Sequence, residues 1–215
     1  MTDRAKFVEL MIHHGVLKFG EFTLKSGRRS PYFFNLGAIA DGAGLAVLGR
    51  AYADAIIELG LKPDVLFGPA YKGIPIAVAA GVALHQFHDT RVGVSFNRKE
   101  AKQHGEGGNL VGHALHGRVV IVDDVMTAGT AVAQAADIVR AAGGTIAGVL
   151  VALDRCEQGP DGRTAVQGMA DRLGTRVESI VALRDVIEFL DSSGADADSL
   201  GAIRTYQRQY CQMTA

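Results

Sequence analysis

A doubly wound α/β domain, with a parallel sheet flanked by helices, is what this chain of 215 residues predicts. Three observations lead there. Short β-branched runs alternate with helical segments along most of the length. Two of those runs, Val65-Leu66-Phe67-Gly68 and Val119-Val120-Ile121-Val122, are apolar at nearly every position, as in strands covered on both faces. Three predicted strands end in polar loops, at 68–73, at 123–130 and at Asp154-Arg155, and such sheets collect ligands at the carboxyl ends of their strands.

The elements follow in order. Residues 3–14 have helical spacing, with Phe7, Leu10 and Met11 on one face. Phe22-Thr23-Leu24 and Pro31-Tyr32-Phe33-Phe34-Asn35 read as two short strands around the basic turn 25–30. A helix over 45–59 places apolar residues at 45, 48, 52, 56 and 59, and the buried strand 65–68 leads through a loop into a small-residue helix ending near Ala83. Residues 91–96 form a strand. The segment 97–109 has Ala101 and little else apolar before Leu110, and Gly105, Gly107 and Gly108 loosen it, so a loop is expected. Strand 118–122, helix 131–142 stopped by Gly143-Gly144, strand 145–153, helix 164–173, strand 176–182 and a helix from Leu183 complete the core.

Composition narrows the function classes. Hydrophobic residues make up 48% of the chain, enough for a sizeable core, while a formal net charge of −1 speaks against a nucleic-acid or membrane-surface protein. Cys156 and Cys211 are the only cysteines, which is no disulfide framework and suits a reducing cytoplasm. The first residues lack a signal-type apolar core, and no apolar run approaches the ~20 residues of a membrane span. A cytoplasmic location without membrane association is therefore expected. His85-x-x-His88 and His113-x-x-His116 lack a third ligand at metal-site spacing and read as surface pairs.

The stretch from Val119 to Thr130 carries the chemistry. It ends a strand in two adjacent carboxylates, Asp123 and Asp124, and continues through Val125-Met126-Thr127-Ala128-Gly129-Thr130 into a helix. Hydroxyls and backbone N–H groups at a helix N-terminus make a phosphate cradle. Carboxylates beside a phosphate are useful where the ligand presents hydroxyls or develops positive charge, as a ribose 5-phosphate and a ribosyl oxocarbenium ion do. A plainer reading is a buried strand whose Asp caps the next helix, which accounts for one carboxylate but not for the second or for the two threonines.

The same stretch is similar to the phosphoribosyl-diphosphate (PRPP) motif of type I phosphoribosyltransferases. Across about residues 20–190 the chain resembles the orotate phosphoribosyltransferases within them. Besides the cradle, the match rests on Phe22-Thr23-Leu24-Lys25-Ser26-Gly27 with Ser30-Pro31-Tyr32-Phe33-Phe34-Asn35, on Gly68-Pro69-Ala70-Tyr71-Lys72-Gly73-Ile74-Pro75, and on Asn97-Arg98-Lys99-Glu100-Ala101-Lys102-Gln103-His104-Gly105-Glu106. The resemblance implies the type I fold, with residues 1–40 as an N-terminal helix and hood contributing to the base site and 41–215 as the core. It implies transfer of the phosphoribosyl group of PRPP to orotate, giving orotidine 5'-phosphate and pyrophosphate in pyrimidine synthesis.

The residue roles come from the resemblance as well. Asp123 and Asp124 face the ribose hydroxyls, Val125 and Met126 belong to the PRPP site, and Thr127, Ala128, Gly129, Thr130 and Ala131 hold the 5-phosphate. Tyr71 and Lys72 meet the pyrophosphate in a loop where the family tends to carry a non-proline cis peptide. Phe33, Phe34 and Thr127 adjoin orotate, and Arg155 pairs with its carboxylate, which suits a planar guanidinium. Lys25 reaches the reacting groups. Arg98, Lys99, Lys102 and His104 belong to a lid that closes over the pyrophosphate and reaches the neighbouring subunit of a homodimer. Lys102 and His104 join the two aspartates as catalytic residues. Mg2+ is the implied cofactor, held mainly by substrate and water rather than by protein ligands. Two rivals stand beside this reading: transfer to another nucleobase, and a PRPP-sensing regulator that binds nucleic acid. The second predicts a basic face or an added DNA-binding element, and the sequence offers neither.

Overall fold

The computed structural model of the chain describes residues 3–24, 26–102, 108–126, 129–194 and 197–212, with the side chains of residues 100–102 and 108 outside that description. Helix α1 (Arg4–His13) is capped by Asp3, whose carboxylate accepts from the Lys6 N–H at 3.1 Å, and buries Phe7, Val8 and Met11. Strands β1 (Leu17–Thr23) and β2 (Arg29–Phe34) pair antiparallel as a separate ribbon, with Leu17 opposite Phe34. The first strand starts five residues before the expected Phe22, because Leu17 and Phe19 already alternate with polar residues. Helix α2 (Gly42–Glu58) likewise starts before Leu45, since the Asp41 carboxylate caps it by accepting from the Gly44 N–H at 2.8 Å.

Strand β3 (Val65–Gly68), helix α3 (Gly73–His88), strands β4 (Gly93–Lys102), β5 (Gly108–Gly112) and β6 (Arg118–Val125), helix α4 (Thr130–Ala141), strand β7 (Thr145–Asp154), helix α5 (Ala165–Leu173), strand β8 (Val177–Ala182) and helices α6 (Leu183–Ser193) and α7 (Ala197–Tyr210) follow. The main sheet has the order β5-β4-β3-β6-β7-β8. Five strands run parallel as expected, and β5 returns antiparallel on the edge beside β4. The loop expected over 97–109 is thus corrected in part: residues 97–102 extend β4 and 108–109 open β5. Ladder hydrogen bonds need backbone groups rather than apolar side chains, so the polarity of this segment concealed its strands.

Alternation along the strands divides the core. Leu66, Val120, Val122, Leu150 and Ala152 join α1, α2, α3, α6 and α7 on one face, while Val65, Phe67, Ile121, Val149 and Val151 join α4 and α5 on the other. Each of the Val, Leu, Ile and Phe side chains among them, fully buried, contributes roughly 1.5–3 kcal/mol. The chain leaves β3 through α3 toward β4 on one side and resumes with β6 on the other side of β3. That reversal opens a crevice at the carboxyl ends of β3 and β6. Among the described residues no helix is long and apolar enough to cross a membrane.

Candidate active site

The crevice brings two loops together. A Cβ added at Gly68 would lie 2.1 Å from the Gly73 carbonyl oxygen, so only glycine lets the chain turn this tightly from β3 into α3. The turn contains a cis peptide between Ala70 and Tyr71, which the sequence resemblance implied. Asn97, on β4, holds the turn by accepting the Ala70 N–H at 2.9 Å. Tyr71 stands 64% exposed, and the Lys99 ammonium lies 4.7 Å from its ring centroid. From the next position Lys72 donates to Asp124 Oδ2 at 2.6 Å.

Asp123 and Asp124 are both buried at the end of β6. The Tyr52 hydroxyl donates to the Asp123 carbonyl at 2.7 Å, and the Asp124 N–H donates to Asp123 Oδ1 at 3.0 Å. Burial, reinforced by the charge of Asp124, pushes the Asp123 carboxyl up to about 7, and Lys72 opposes only part of that rise. Neither aspartate caps α4. Its N-cap is Gly129, which has φ +71° and makes no side-chain cap bond, so the plainer reading of the carboxylates fails. Val125 is half-buried and Met126 buried, which leaves backbone as their means of meeting a phosphate, while Thr130 and Ala131 are exposed on the first turn of α4. The N–H groups of that turn lack helical partners and favour an anion.

The Arg155 end of β7 lies alongside. Val125 pairs with Leu153 across the sheet, so Arg155 follows β7 at the same end as the aspartates. Its guanidinium is buried over the Tyr32 ring, 4.2 Å from the centroid. Nε donates to Glu157 Oε1 at 2.6 Å and Nη2 to Ser30 Oγ at 3.1 Å. Phe33 is 40% exposed and stacks on Phe22 with centroids 5.4 Å apart, whereas the Phe34 side chain is in the core. Of the two phenylalanines, then, only Phe33 offers a ring face.

Lys25, His104, Thr127 and Ala128, four of the expected site residues, lie outside the described residues. Lys102 ends β4 with its side chain outside the description, and Arg98 is half-buried on the same strand. Sequence reasoning missed Asn97 as the support of the 70–72 turn, and Ser30, Tyr32, Glu157 and Tyr206 as neighbours of Arg155. Asn97 stood inside a quoted motif and could have been found there; nothing in the sequence links Tyr206 to Arg155. Burial and then Asp154 push the Cys156 thiol up to about 11, which disfavours the thiolate that a nucleophile needs. His88 pairs with Asp54 at 2.6 Å, a carboxylate from α2 that spacing alone could not reveal. A cleft of about 530 Å³ between β1–β2 and α7 has Ser30 and Tyr206 in its lining, so it borders the Arg155 network rather than the aspartates.

Comparisons with known proteins give the family and the fold. Residues 35–186 match the phosphoribosyl transferase domain. The chain is 52% identical over 205 residues to an orotate phosphoribosyltransferase of Salmonella newport, covering 95% of this chain and 96% of that one. In three dimensions it is similar to the crystal structure of orotate phosphoribosyltransferase from Francisella tularensis, at 36% identity and a TM-score of 0.85 over 96% of this chain and 100% of that one. It is also similar to UMP synthase of Leishmania donovani, at 25% identity and a TM-score of 0.76, over 96% of this chain and 42% of that longer one.

Proposed function

The chain belongs to the orotate phosphoribosyltransferases of the phosphoribosyl transferase domain family, and from that premise we propose how its residues carry out the transfer. The reaction joins orotate to the phosphoribosyl group of PRPP, giving orotidine 5'-phosphate and pyrophosphate. The observation that carries the residue assignment is the Lys72–Asp124 contact, which ties the β3 loop to the end of β6 at the switch point.

PRPP exchanges partners with that contact. Lys72 turns to the pyrophosphate while Asp124 and Asp123 take the ribose hydroxyls, and the first turn of α4, behind Gly129, Thr130 and Ala131, holds the 5-phosphate with Val125, Met126, Thr127 and Ala128. As the bond from the anomeric carbon to pyrophosphate breaks and the orotate nitrogen bonds in its place, the ribosyl group gains positive charge. The two carboxylates, withdrawn from water, stabilise that charge. Lys72, Lys99, Lys102, Arg98 and His104 receive the negative charge of the leaving group, with Tyr71 beside them. Orotate rests on Phe33 and the backbone at Phe34, near Thr127 and Lys25, and its carboxylate meets Arg155.

Mg2+ fits this donor set. Asp123 and Asp124 offer hard carboxylate oxygens that would meet the ion through its water, and the lack of a protein cage suits an ion held mainly by substrate and water. Bound there with the substrate's oxygens, it would supply further charge neutralisation of the pyrophosphate. Residues 1–40 act as a hood over the core of residues 41–215. The protein works as a cytoplasmic homodimer whose lid residues Arg98, Lys102 and His104 serve the neighbouring site, with Lys99 serving PRPP as well.

Loss of orotate ultraviolet absorbance on mixing the protein with PRPP, Mg2+ and orotate tests the reading, with hypoxanthine and uracil run in parallel. Turnover of orotate alone is expected. Turnover of hypoxanthine or uracil instead would replace orotate with another base. PRPP binding without turnover of any base would point to the regulatory rival.

A further inference from the structure

We propose that Tyr206, on the last helix, is a positioning residue for the base site. Through Glu157 it fixes the guanidinium of Arg155, and so sets how tightly a carboxylate-bearing base is held. The inference rests on the assignment of Arg155 to the orotate carboxylate.

Arg155 is gripped along one edge. Nε is bonded to Glu157, and Nη2 to Ser30, with the Tyr206 hydroxyl 3.5 Å from Nη2. Ser30 and Tyr206 engage Nη2, so Nη1, with no hydrogen-bond partner among the described residues, is the corner of the guanidinium through which a ligand carboxylate is met. Glu157 can serve as the anchor only if it cannot swing away. Both its oxygens are occupied: Oε1 also accepts the Tyr206 hydroxyl at 2.6 Å, and Oε2 accepts Arg28 Nη1 at 3.1 Å. Tyr206 in turn is buried, packed edge-on against Tyr32 with centroids 5.9 Å apart. The aromatic wall under the guanidinium is thereby continuous with α7.

The charge count points to an anionic ligand. Arg28 and Arg155 bring two positive charges against the single negative charge of Glu157. Burial holds the Tyr206 and Tyr32 hydroxyls in their neutral form, above their usual range. One positive charge is left over in a half-buried cluster, and a ligand carboxylate balances it. Removing the Tyr206 hydroxyl keeps that balance but takes away the partner shared by Glu157 Oε1 and Arg155 Nη2, so the guanidinium is less fixed when a base binds.

Steady-state kinetics of the full chain test this, varying orotate and PRPP separately. Tyr206→Phe is expected to raise the orotate KM about tenfold, the scale of one bond to a charged group, with kcat and the PRPP KM within about twofold. Ser30→Ala, a change too small to threaten folding, should raise the orotate KM about threefold through the Nη2 bond. Gln209→Ala, on the same helix but exposed, should change nothing. In an Arg155→Lys background, Tyr206→Phe should have no further effect, because the fork it positions is gone. The inference is overturned if Arg155→Lys raises the orotate KM while Tyr206→Phe does not. It is also overturned if the Tyr206 effect persists undiminished in the Arg155→Lys protein, or if kcat and both KM values shift together as in general loosening. An orotate KM indifferent to Arg155→Lys would instead remove the assignment of Arg155, and this inference with it.

Discussion

The end of β6 and the surroundings of Arg155 are both buried and charged, yet they are assembled in opposite ways. From Asp123 to Ala131 the chain runs through nine consecutive positions, with Lys72 brought over from the adjacent strand. Around Arg155 the partners come from β2, from the residues after β7 and from α7, up to 178 positions apart between Arg28 and Tyr206. The first arrangement aims partial charges of one strand and one helix at a point. The second holds a single guanidinium from several sides. On the proposed assignment the difference teaches a division of labour: a local motif suits a phosphate and a ribose, while a base meets a pocket wall built from distant segments.

Substitutions can break or sharpen that division. The largest effect is expected from Asp124→Asn, which removes the partner of Lys72 and, on the proposed assignment, one charge facing the ribosyl group. Turnover should fall about 10²–10³-fold, the scale of a lost electrostatic stabiliser, while the orotate KM moves less than about threefold. Kinetics with each substrate varied would show this. A parallel rise in the orotate KM would mean that the two regions act as one.

Gly129→Ala should come next. At φ +71° a side chain costs about 1–2 kcal/mol. The new Cβ would also start 2.4 Å from the Met169 methyl, which can move aside as the end of a flexible chain. A rise of about tenfold in the PRPP KM is expected, with the orotate KM spared. An unchanged PRPP KM would show that the left-handed turn is dispensable to the cradle.

The smallest effect concerns pH. Asp123 is held at about 7 in the folded protein, against about 3.9 for an ordinary Asp. Between those values the folded state binds more protons than the unfolded chain. The stabilising contribution of this group is therefore complete below about pH 4 and is lost as the pH rises to about 7. Asp123→Asn removes that loss, so its melting temperature should exceed the parent's by a few degrees near pH 8, and by less near pH 5. Turnover should fall even so, as befits a site that gives up stability for function. Equal shifts at both pH values would mean that Asp123 ionises normally.

What the sequence determined by itself were the elements whose signal is local. Apolar runs marked β3, β6 and β7, polar loops marked the carboxyl ends of strands where the proposed site lies, and the doublet Asp123-Asp124 stands close to Gly129 and the start of α4, because neighbouring residues in a strand and helix N-terminus must share a small volume. Only the tertiary structure decided that β5 turns back antiparallel on the edge, that Phe34 packs inward while Phe33 stays open, and that Asn97 supports the Ala70–Tyr71 turn. It alone carried α7 to Arg155. The reason is physical. Backbone pairing at a sheet edge asks little of side chains, and a contact between residues far apart in the chain depends on how several elements pack at once, which no single stretch of sequence encodes.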